Sequence, residues 1–312
     1  MLAHISDKPF DDKDWVFEIK WDGYRAVAEV SGDKILLYSR NGLSFSAKYP
    51  IVVQELQKFK HKVIVDGEIV VLNEKDRPDF QKLQHYEENK SFPIQYYLFD
   101  CLSVDGQDLK DLPLIERKKI LKKIIPRKNS VLKYSDHVNE FGVDFFKEVS
   151  SSDLEGMIAK KADSLYHPGV RTKEWLKIKH HNTQEAVIMG FTEPRGGRRY
   201  FGALVLGIYE NRKWKYIGHT GTGFTDKILR ETHNKLKTHI REDSPFDTKV
   251  KVNSPVTWVD PLFVCNIKFT EITRDGILRH PVFQGLRIDK SPKQARADKP
   301  LVKSATWKKK KR

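Results

Sequence analysis

The chain is poor in cysteine and has no long hydrophobic run, and both absences limit what it can be. Its two cysteines, Cys101 and Cys265, lie far apart in apolar segments, which predicts buried free thiols in a reducing cytosol. No group of cysteines and histidines has the spacing of a zinc site. No apolar run approaches the roughly 20 residues of a membrane span, and no secretory signal is predicted at the start. These absences argue against a disulfide-rich secreted domain, a zinc protein and a membrane protein.

Basic residues are in excess: 57 Lys and Arg against 42 Asp and Glu give the 312 residues a formal net charge of +15. Nine basic residues and one aspartate fall within 291–312, which leaves +7 on the rest of the chain. The segment 291–312 has no apolar periodicity, and we predict that it is a disordered basic tail or linker. The charge on the rest of the chain favours a nucleic-acid partner.

Residues 1–181 are predicted to form an α+β domain of mostly antiparallel sheets with flanking helices. We interpret Asp22-Gly23 as a turn between two strands and Asp66-Gly67-Glu68 as the interruption of another strand. The predicted strands are 15–17, 26–30, 34–38, 62–72, 94–100, 154–161 and 173–179, and the predicted helices are 50–59, 79–86 and 113–125.

Residues 184–290 are predicted to form a second, mainly β domain. Five short strands with one helix match a small Greek-key barrel such as the OB-fold. The polar segment 180–183 is interpreted as a hinge between the two domains. The strands are predicted at 185–191, 203–209, 214–218, 256–260 and 263–271, and the helix at 225–240.

Residues 18–25, which read EIKWDGYR, contain the candidate nucleophile Lys20. A free lysine has a pKa near ~10.4 and is a cation at neutral pH, so its pKa must fall before it can attack a phosphate. Lys177 and Lys179 alternate on a predicted strand and share one face, where their charges would lower that pKa. The pattern predicts a covalent lysyl-nucleotide enzyme, although Lys-x-Asp-Gly alone is also common on protein surfaces.

Other predicted strands carry candidate ligands. Glu68 and Glu155 offer the oxygen atoms that Mg²⁺ and ribose hydroxyl groups require. Phe99 is either a core residue or a ring that stacks on a purine. Arg25 and Arg40 are either solvated surface charges or phosphate contacts.

Seven short motifs, in this order and spacing, resemble the collinear motifs of ATP-dependent DNA ligases. The segments 166–171 (YHPGVR) and 280–287 (HPVFQGLR) resemble the ligase module of bacterial ligase D, the enzyme of non-homologous end joining. The seven motifs are 20–25 (KWDGYR), 39–42 (SRNG), 65–68 (VDGE), 97–100 (YLFD), 155–160 (EGMIAK), 175–179 (WLKIK) and 287–290 (RIDK).

The resemblance implies a reaction with ATP. Lys20 would attack the α-phosphorus, which gives a lysyl-AMP intermediate and pyrophosphate. Lys177 and Lys179 would bind the α-phosphate and keep Lys20 deprotonated. Arg287 and Lys290, on the barrel, would orient the pyrophosphate when the barrel closes.

The resemblance also implies a nucleotide site. Glu18 would accept a hydrogen bond from the adenine amino group, and Phe99 would stack on the adenine ring. Glu68 would hold the ribose, Arg25 would contact the sugar-phosphate region, and Lys160 belongs to the same set.

The remaining implied contacts are to metal and DNA. Glu155, assisted by Asp22, would bind Mg²⁺ or Mn²⁺, and Arg40 would contact DNA. The implied substrate is nicked duplex DNA, sealed through a DNA 5′-adenylate. A Ku-type end-binding protein and polymerase or phosphoesterase modules, fused or separate, are the implied partners. The implied protein is a monomer of the bacterial cytoplasm, associated with the nucleoid.

Two alternatives remain at this point. Capping guanylyltransferases and RNA ligases share the Lys-x-Asp-Gly pattern, but Glu18 and the segments similar to ligase D argue against them. A non-catalytic basic DNA-binding module would explain the charge but not the ordered set of lysines and glutamates.

Overall fold

The computed structural model describes residues 1–252 and 254–297 and divides into two compact units, Met1–His180 and a second that begins at His181. The strands of the first unit are β1 (Leu2–Ile5), β2 (Asp12–Ile19), β3 (Tyr24–Ser31), β4 (Lys34–Ser39), β5 (Val63–Val71), β6 (Ile94–Val104), β7 (Gln107–Asp108), β8 (Leu132–Tyr134), β9 (Val138–Glu140), β10 (Gly156–Lys161) and β11 (Arg171–Lys179). Its α-helices are α1 (Pro50–Leu56), α2 (Phe80–Gln84), α3 (Leu114–Ile124) and α4 (Gly142–Ser151), and a 3₁₀ turn lies at Tyr86–Glu88.

These strands form two sheets. Sheet A has the order β1-β11-β10-β2-β9, and sheet B has the order β4-β3-β5-β6-β7 with β8 beside β6. The pairs β1–β11 and β6–β8 are parallel, whereas β2, β10 and the central strands of sheet B pair antiparallel. The predicted antiparallel character is therefore confirmed for the centre of both sheets.

Alternating burial gives each sheet an outer and an inner face. The outer face of sheet A packs Phe17 and Met157 against Phe145 of α4. The outer face of sheet B packs the larger core of this unit. Between the sheets, a smaller cluster joins Trp175 of sheet A to Phe99 of sheet B. The inner faces therefore approach each other beside the predicted site residues.

The strand-turn-strand interpretation of residues 15–30 implied a hairpin, and the structure shows that they do not form one. β2 pairs with β9 and β10 in sheet A, and β3 pairs with β4 and β5 in sheet B. The segment 20–23 therefore carries the chain from one sheet to the other. Gly23 fits this crossing because a Cβ there would lie 2.1 Å from the carbonyl oxygen of Ile69.

The predicted interruption at 66–68 is also wrong. β5 is continuous through Asp66, Gly67 and Glu68, with a bulge against β6 between Asp66 and Gly67. A Cβ at Gly67 would lie 2.5 Å from the carbonyl oxygen of Tyr97, so glycine here allows close strand approach rather than a turn.

The helices predicted at 50–59, 79–86 and 113–125 are confirmed, although each is shorter than predicted. Helix α4 was not predicted.

The second unit contains β12 (Asn182–Thr192), β13 (Leu204–Glu210), β14 (Lys213–Thr220), β15 (Ile240–Arg241), β16 (Val256–Val259), β17 (Val264–Phe269), β18 (Glu271–Ile272), β19 (Leu278–Arg279) and β20 (Val282–Arg287), with α5 (Asp226–Leu236) and 3₁₀ turns at Lys237–His239 and Pro292–Gln294. β12 pairs with β13 on one side and with β17 on the other, β13 pairs with β14, and β17 pairs with β20.

A parallel bridge between Thr222 and Val282 joins the end of β14 to β20 and closes the barrel. α5, capped by the Thr225 hydroxyl, lies in the chain between the third and fourth barrel strands, β14 and β17. This connectivity is that of the predicted OB-fold. In the described part of the chain, no helix has the length and apolar character needed to cross a membrane.

Both ends of the predicted second domain need adjustment. Asn182 and Thr183, interpreted as hinge residues, already belong to β12. Beyond 290, Ala295 is buried and its carbonyl accepts a hydrogen bond from the Tyr209 backbone N–H at 2.8 Å. The first residues of the predicted tail therefore pack on the barrel. Positions 298–312 lie outside the described residues.

Candidate active site

Lys20 stands where the chain leaves sheet A. Its backbone N–H donates to the carbonyl oxygen of Gly156 at 2.9 Å, and its ammonium group forms an ion pair with Glu155, the residue before β10. The side chain of Lys20 is 21% exposed and that of Glu155 is 10% exposed. Backbone and side chain thus fix the amine beside a carboxylate, at a position that a ligand can still reach.

The electrostatic balance at Lys20 differs from the sequence-based expectation. Burial disfavours its charge, but Glu155 and then Asp22 outweigh burial, so the pKa of Lys20 is raised. Lys177 and Lys179 were expected to lower this pKa. Their charges instead contribute, after that of Lys20, to lowering the pKa of Glu155 against the effect of burial. In this structure the amine is a paired ammonium ion, because the nearest strong charge is a carboxylate.

The inner face of sheet A carries several predicted site residues. Glu18 lies opposite Ile158, and Ile158 lies opposite Lys177, so these three share one face. Lys179 lies opposite Gly156 on the same face. The prediction that Lys177 and Lys179 share a face is confirmed, and the same face carries Glu18 and leads directly to Lys20.

Glu18 is the centre of a buried ion cluster. It is 2% exposed, and its carboxylate accepts from Lys118 at 2.8 Å and pairs with Lys160 at 2.9 Å. The Ser135 hydroxyl donates to the same carboxylate at 3.2 Å. Burial would raise the pKa of Glu18, but Lys118 and Lys160 lower it. Burial, against the opposing pull of Glu18, lowers the pKa of Lys160 to about 8.

The inner face of sheet B supplies the other predicted contacts. Arg25 lies opposite Glu68, and Glu68 lies opposite Tyr97. The Arg25 guanidinium donates to both oxygens of buried Asp66, at 3.0 and 2.5 Å, and the Tyr166 hydroxyl donates to Asp66 at 2.7 Å. Arg25 is therefore a fixed group of the site and not a solvated surface charge.

Phe99 projects between the sheets rather than into the larger core of sheet B. The Lys160 ammonium lies 4.3 Å and the Arg25 guanidinium 5.4 Å from the centre of its ring. Trp175 packs edge-on at 6.2 Å. The ring thus shares the space between Glu18 and Arg25, although part of it belongs to the small cluster between the sheets.

The remaining predicted residues of the first unit are Arg40, a predicted DNA contact, and the metal-binding carboxylates. Arg40 is exposed in the tight turn that follows β4, where the Gly42 N–H donates to the Ser39 carbonyl. Among the described residues, Asp22, Glu68 and Glu155 do not form a cluster of three ligand atoms within 4.8 Å of one another. Asp22 and Glu68 both act to raise the pKa of Lys20, which places their charges within electrostatic reach of the amine.

The two predicted cations of the barrel are paired within their own unit. Arg287 makes a two-point ion pair with Asp289, at 2.8 and 2.7 Å, and Lys290 pairs with Glu185. Asp289 is 5% exposed, and although burial opposes its charge, Arg287 lowers the pKa of Asp289.

Sequence reasoning missed Lys118, Asp66, Ser135 and Tyr166. Lys118 was hidden because α3 carries several lysines, and only the alignment of Lys118 with the apolar residues Leu114 and Leu121 marks it as inward-facing. Asp66 was assigned to a turn. Its position in a β-branched run was the available signal, because a carboxylate there requires a buried cation.

Asp66 offers a test of how the site is held. We expect Asp66→Ala to lower the free energy of unfolding by about 3 kcal/mol, because it removes the buried carboxylate that pairs with the partly buried Arg25 guanidinium. The shift of the urea unfolding midpoint, followed by tryptophan fluorescence, measures this loss. Asp33→Ala, in an exposed turn, is the matched control and should change the midpoint little. Equal midpoints for the two variants would contradict the structural role of the Arg25–Asp66 pair.

The same pair predicts a pH dependence. Although burial opposes the charge, Arg25 and then Tyr166 lower the pKa of Asp66 in the folded chain. Its contribution to stability is therefore complete above the unfolded-state pKa of ~3.9 and is lost as the pH falls through the lower folded-state pKa.

Comparison with protein families matches residues 1–179 to the ATP dependent DNA ligase domain and residues 197–290 to the ATP dependent DNA ligase C terminal region. The chain is 36% identical over 308 residues to the multifunctional non-homologous end joining protein LigD of Pseudomonas aeruginosa, which covers 96% of this chain and 36% of that protein. It is 37% identical over 284 residues to the LigD protein of Mycolicibacterium smegmatis, covering 90% and 37%. The chain thus spans little more than a third of these relatives.

Solved structures agree with the family match. The chain is similar to mycobacterial DNA ligase D complexed with ATP and MES, with a TM-score of 0.70, 31% identity and coverage of 95% of this chain and 96% of that one. The ligase domain of LigD from M. tuberculosis gives a TM-score of 0.52 at 32% identity, covering 95% and 97%. The predicted fold, an α+β nucleotidyltransferase domain followed by an OB-fold barrel, is confirmed. The chain belongs to the ATP-dependent DNA ligase family.

Proposed function

We propose that this chain seals breaks in duplex DNA, with Lys20 as the residue that carries AMP. The observation that supports this proposal most directly is the position of Lys20, paired with Glu155 at the crossing between the sheets and bordered by the face that carries Lys177 and Lys179. The reaction proceeds from ATP to a lysyl-AMP with release of pyrophosphate, then to a DNA 5′-adenylate, and ends when the DNA 3′-hydroxyl displaces AMP and forms a phosphodiester bond.

In the first step the Lys20 amine attacks the α-phosphorus, an N–P bond forms, and the bond to pyrophosphate breaks. Lys20 must first lose a proton, and its pairing with Glu155 opposes this loss. Lys177 and Lys179 hold the α-phosphate and neutralise the charge that develops on it. Release of Lys20 from Glu155 is thus part of activation.

The carboxylates fit a site in which one or two of them hold a single Mg²⁺ or Mn²⁺ ion together with substrate phosphates. They do not form a cage of protein ligands around the ion. Glu155 is ionised and 10% exposed, and Asp22 is half-buried close by. One or two carboxylates with substrate phosphates are the usual protein setting for Mg²⁺. When bound, the ion neutralises phosphate charge. Glu155, assisted by Asp22, would hold it, and Glu155 would then be less available as the partner of Lys20.

The proposed nucleotide contacts are those that the resemblance implies, and their residues lie on the two inner faces. Glu18 reads the adenine amino group, Phe99 stacks on the ring, and Lys160 lies against both. Glu68 holds the ribose, and Arg25, fixed by Asp66, contacts the sugar-phosphate region. Among the barrel residues, Arg287 and Lys290 orient the pyrophosphate as it leaves.

The biological setting is part of the proposal. The relatives are named for non-homologous end joining, and the chain spans 36% and 37% of their length. We propose the same process here, on nicked duplex DNA in the bacterial cytoplasm, in association with the nucleoid. The chain would act as a monomer with a Ku-type end-binding protein and with polymerase and phosphoesterase modules, fused or separate.

An open groove of about 870 Å³ on the barrel is a candidate DNA contact. It lies along β14 and the segment 247–251, where Lys249 and Lys251 are exposed and Val250 between them packs on the barrel core. Such alternation presents both lysines on one side. Arg40, exposed on the first unit, is proposed as a further DNA contact.

We expect the double variant Lys249→Ala/Lys251→Ala to weaken binding of nicked duplex and to flatten its salt dependence by about 1.8 in log–log slope, or about 0.9 for each phosphate that the protein no longer neutralises. Fluorescence anisotropy between 50 and 200 mM salt measures both quantities. The control Lys235→Ala/Lys237→Ala removes the same charge from α5 and the turn that follows it. Equal slopes for the two double variants would contradict a DNA-binding role for the groove.

The decisive test of the proposed function uses radiolabelled nucleotides. Incubation with α-labelled ATP and Mg²⁺ should label the protein, and α-labelled GTP should not. The labelled protein should then seal a nicked duplex. Labelling by GTP would favour a capping enzyme, and the absence of any covalent label would favour a non-catalytic DNA-binding module.

A further inference from the structure

Lys118 is a fully buried lysine that the proposed reaction does not use. It is 0% exposed and reaches from α3 to the Glu18 carboxylate. Its ammonium donates to Glu18 at 2.8 Å and to the carbonyl oxygen of Ser135 at 3.0 Å, and it lies 4.7 Å from the centre of the Tyr134 ring. An ammonium group has three N–H donors, and each of them meets one of these groups. Lys118 therefore offers no donor to a ligand.

The acceptors of Glu18 are almost as fully used. A carboxylate has about four lone-pair positions. One oxygen accepts from Lys118, and the other accepts from the Ser135 hydroxyl and pairs with Lys160. The oxygen that Lys118 holds therefore keeps one open position, while the other oxygen meets Lys160 in an ion pair without a hydrogen bond. The orientation of this last acceptor is set by Lys118, because Lys118 and the acceptor share a single oxygen atom.

The surroundings match the edge of a purine. Lys160 contacts Glu18 at 2.9 Å and lies 4.3 Å from the centre of the Phe99 ring, so the carboxylate and the ring border the same space. A 6-amino group donates a hydrogen bond, whereas a 6-oxo group accepts one. An open acceptor on Glu18 pairs with a 6-amino group and cannot pair with a 6-oxo group, and Lys118 has no donor left to offer the 6-oxo group in its place.

We propose that Lys118 is a specificity-determining positioning residue, which aims the remaining acceptor of Glu18 at the 6-amino group of ATP. This inference rests on the proposed function, in which Glu18 reads the base. Lys118 does not touch the nucleotide. It acts by holding the Glu18 carboxylate in place, while its own N–H groups donate only to protein groups.

The test compares ATP with purine riboside triphosphate, which lacks only the 6-amino group, as substrates for lysyl-nucleotide formation. For the unmodified chain we expect kcat/KM to favour ATP by about 10- to 100-fold, the range for a hydrogen bond to a charged group. In Lys118→Met, which keeps the length of the side chain and removes its charge, the ratio should fall to within about threefold of one. Lys119→Met, at the exposed neighbouring position, should keep the original ratio.

A purely structural role would slow both nucleotides equally and leave the ratio unchanged, and that result would overturn the proposal. An unmodified chain that reacts equally well with both nucleotides would overturn it too. If Lys118→Met does not fold, Glu18→Gln is compared with Glu18→Gln/Lys118→Met. Their ratios should agree within threefold, because Lys118 acts only through the carboxylate, and a larger difference would refute the idea. Failure of ATP to label the unmodified chain would instead overturn the proposed function itself.

Discussion

Replacement of Lys20 with alanine or arginine is expected to abolish the covalent AMP adduct, with a loss of at least ~10⁴-fold in adenylation rate. Alanine removes the nucleophile, and arginine keeps the charge beside Glu155 but cannot be deprotonated in a protein. Because Lys20→Arg preserves the ion pair, its inactivity cannot be attributed to the absence of that pair. Gel detection of α-labelled AMP on the denatured protein measures the adduct.

Two controls define this result. Lys13→Ala, exposed on the same strand β2, should leave labelling unchanged. The Lys20 variants should still seal a nick that already carries a 5′-adenylate, although more slowly, because that step needs no lysyl adduct. Retained labelling in Lys20→Arg would refute the assignment of Lys20 as nucleophile.

Arg287→Ala and Lys290→Ala are expected to slow adenylation by about 100-fold or more, the usual loss when a preorganised cation is removed from a developing charge. Sealing of a pre-adenylated nick should fall much less, since pyrophosphate has already left. Rapid-quench measurement of each step separates the two effects.

Because Arg287 is paired with buried Asp289, a folding defect must be distinguished from a catalytic one. The double variant Arg287→Ala/Asp289→Ala removes both charges and should recover stability without recovering adenylation. Lys293→Ala, exposed just beyond Lys290, should behave like the unmodified chain in both assays. Equal losses in adenylation and sealing would assign Arg287 and Lys290 to DNA binding or to folding.

Sequence reasoning succeeded for strands whose pattern of apolar residues is local. The strands that carry Phe99 and Lys177 were predicted because apolar residues alternate along them, whereas the strand that carries Glu18 was predicted only as far as Phe17. The barrel was predicted because its strands are short and separated by turn residues. These signals are local, so a single sequence contains them.

Sequence reasoning failed where a residue is explained by a partner distant in the chain. Asp66 and Gly67 have low strand propensity, yet β5 runs through both. Arg25 neutralises the charge of Asp66, and the backbone of Tyr97 approaches Gly67 closely. The separation of β2 and β3 into two sheets depends on pairing with β10 and β5. Lys118 was inconspicuous because its carboxylate partner lies 100 positions earlier in the chain.

The backbone hydrogen bond from Lys20 to Gly156 is a place where the stability of the active site differs from the stability of the whole fold. It is the last bond at this end of the β2–β10 pairing before the chain crosses to sheet B, one residue beyond the pair formed by Ile19 and Met157. Opening this one bond would displace the nucleophile while the melting temperature stays the same, because local opening costs less than global unfolding. Engineering for heat resistance through core substitutions would therefore raise the melting temperature without prolonging catalytic lifetime, unless residues 20–23 were stiffened as well.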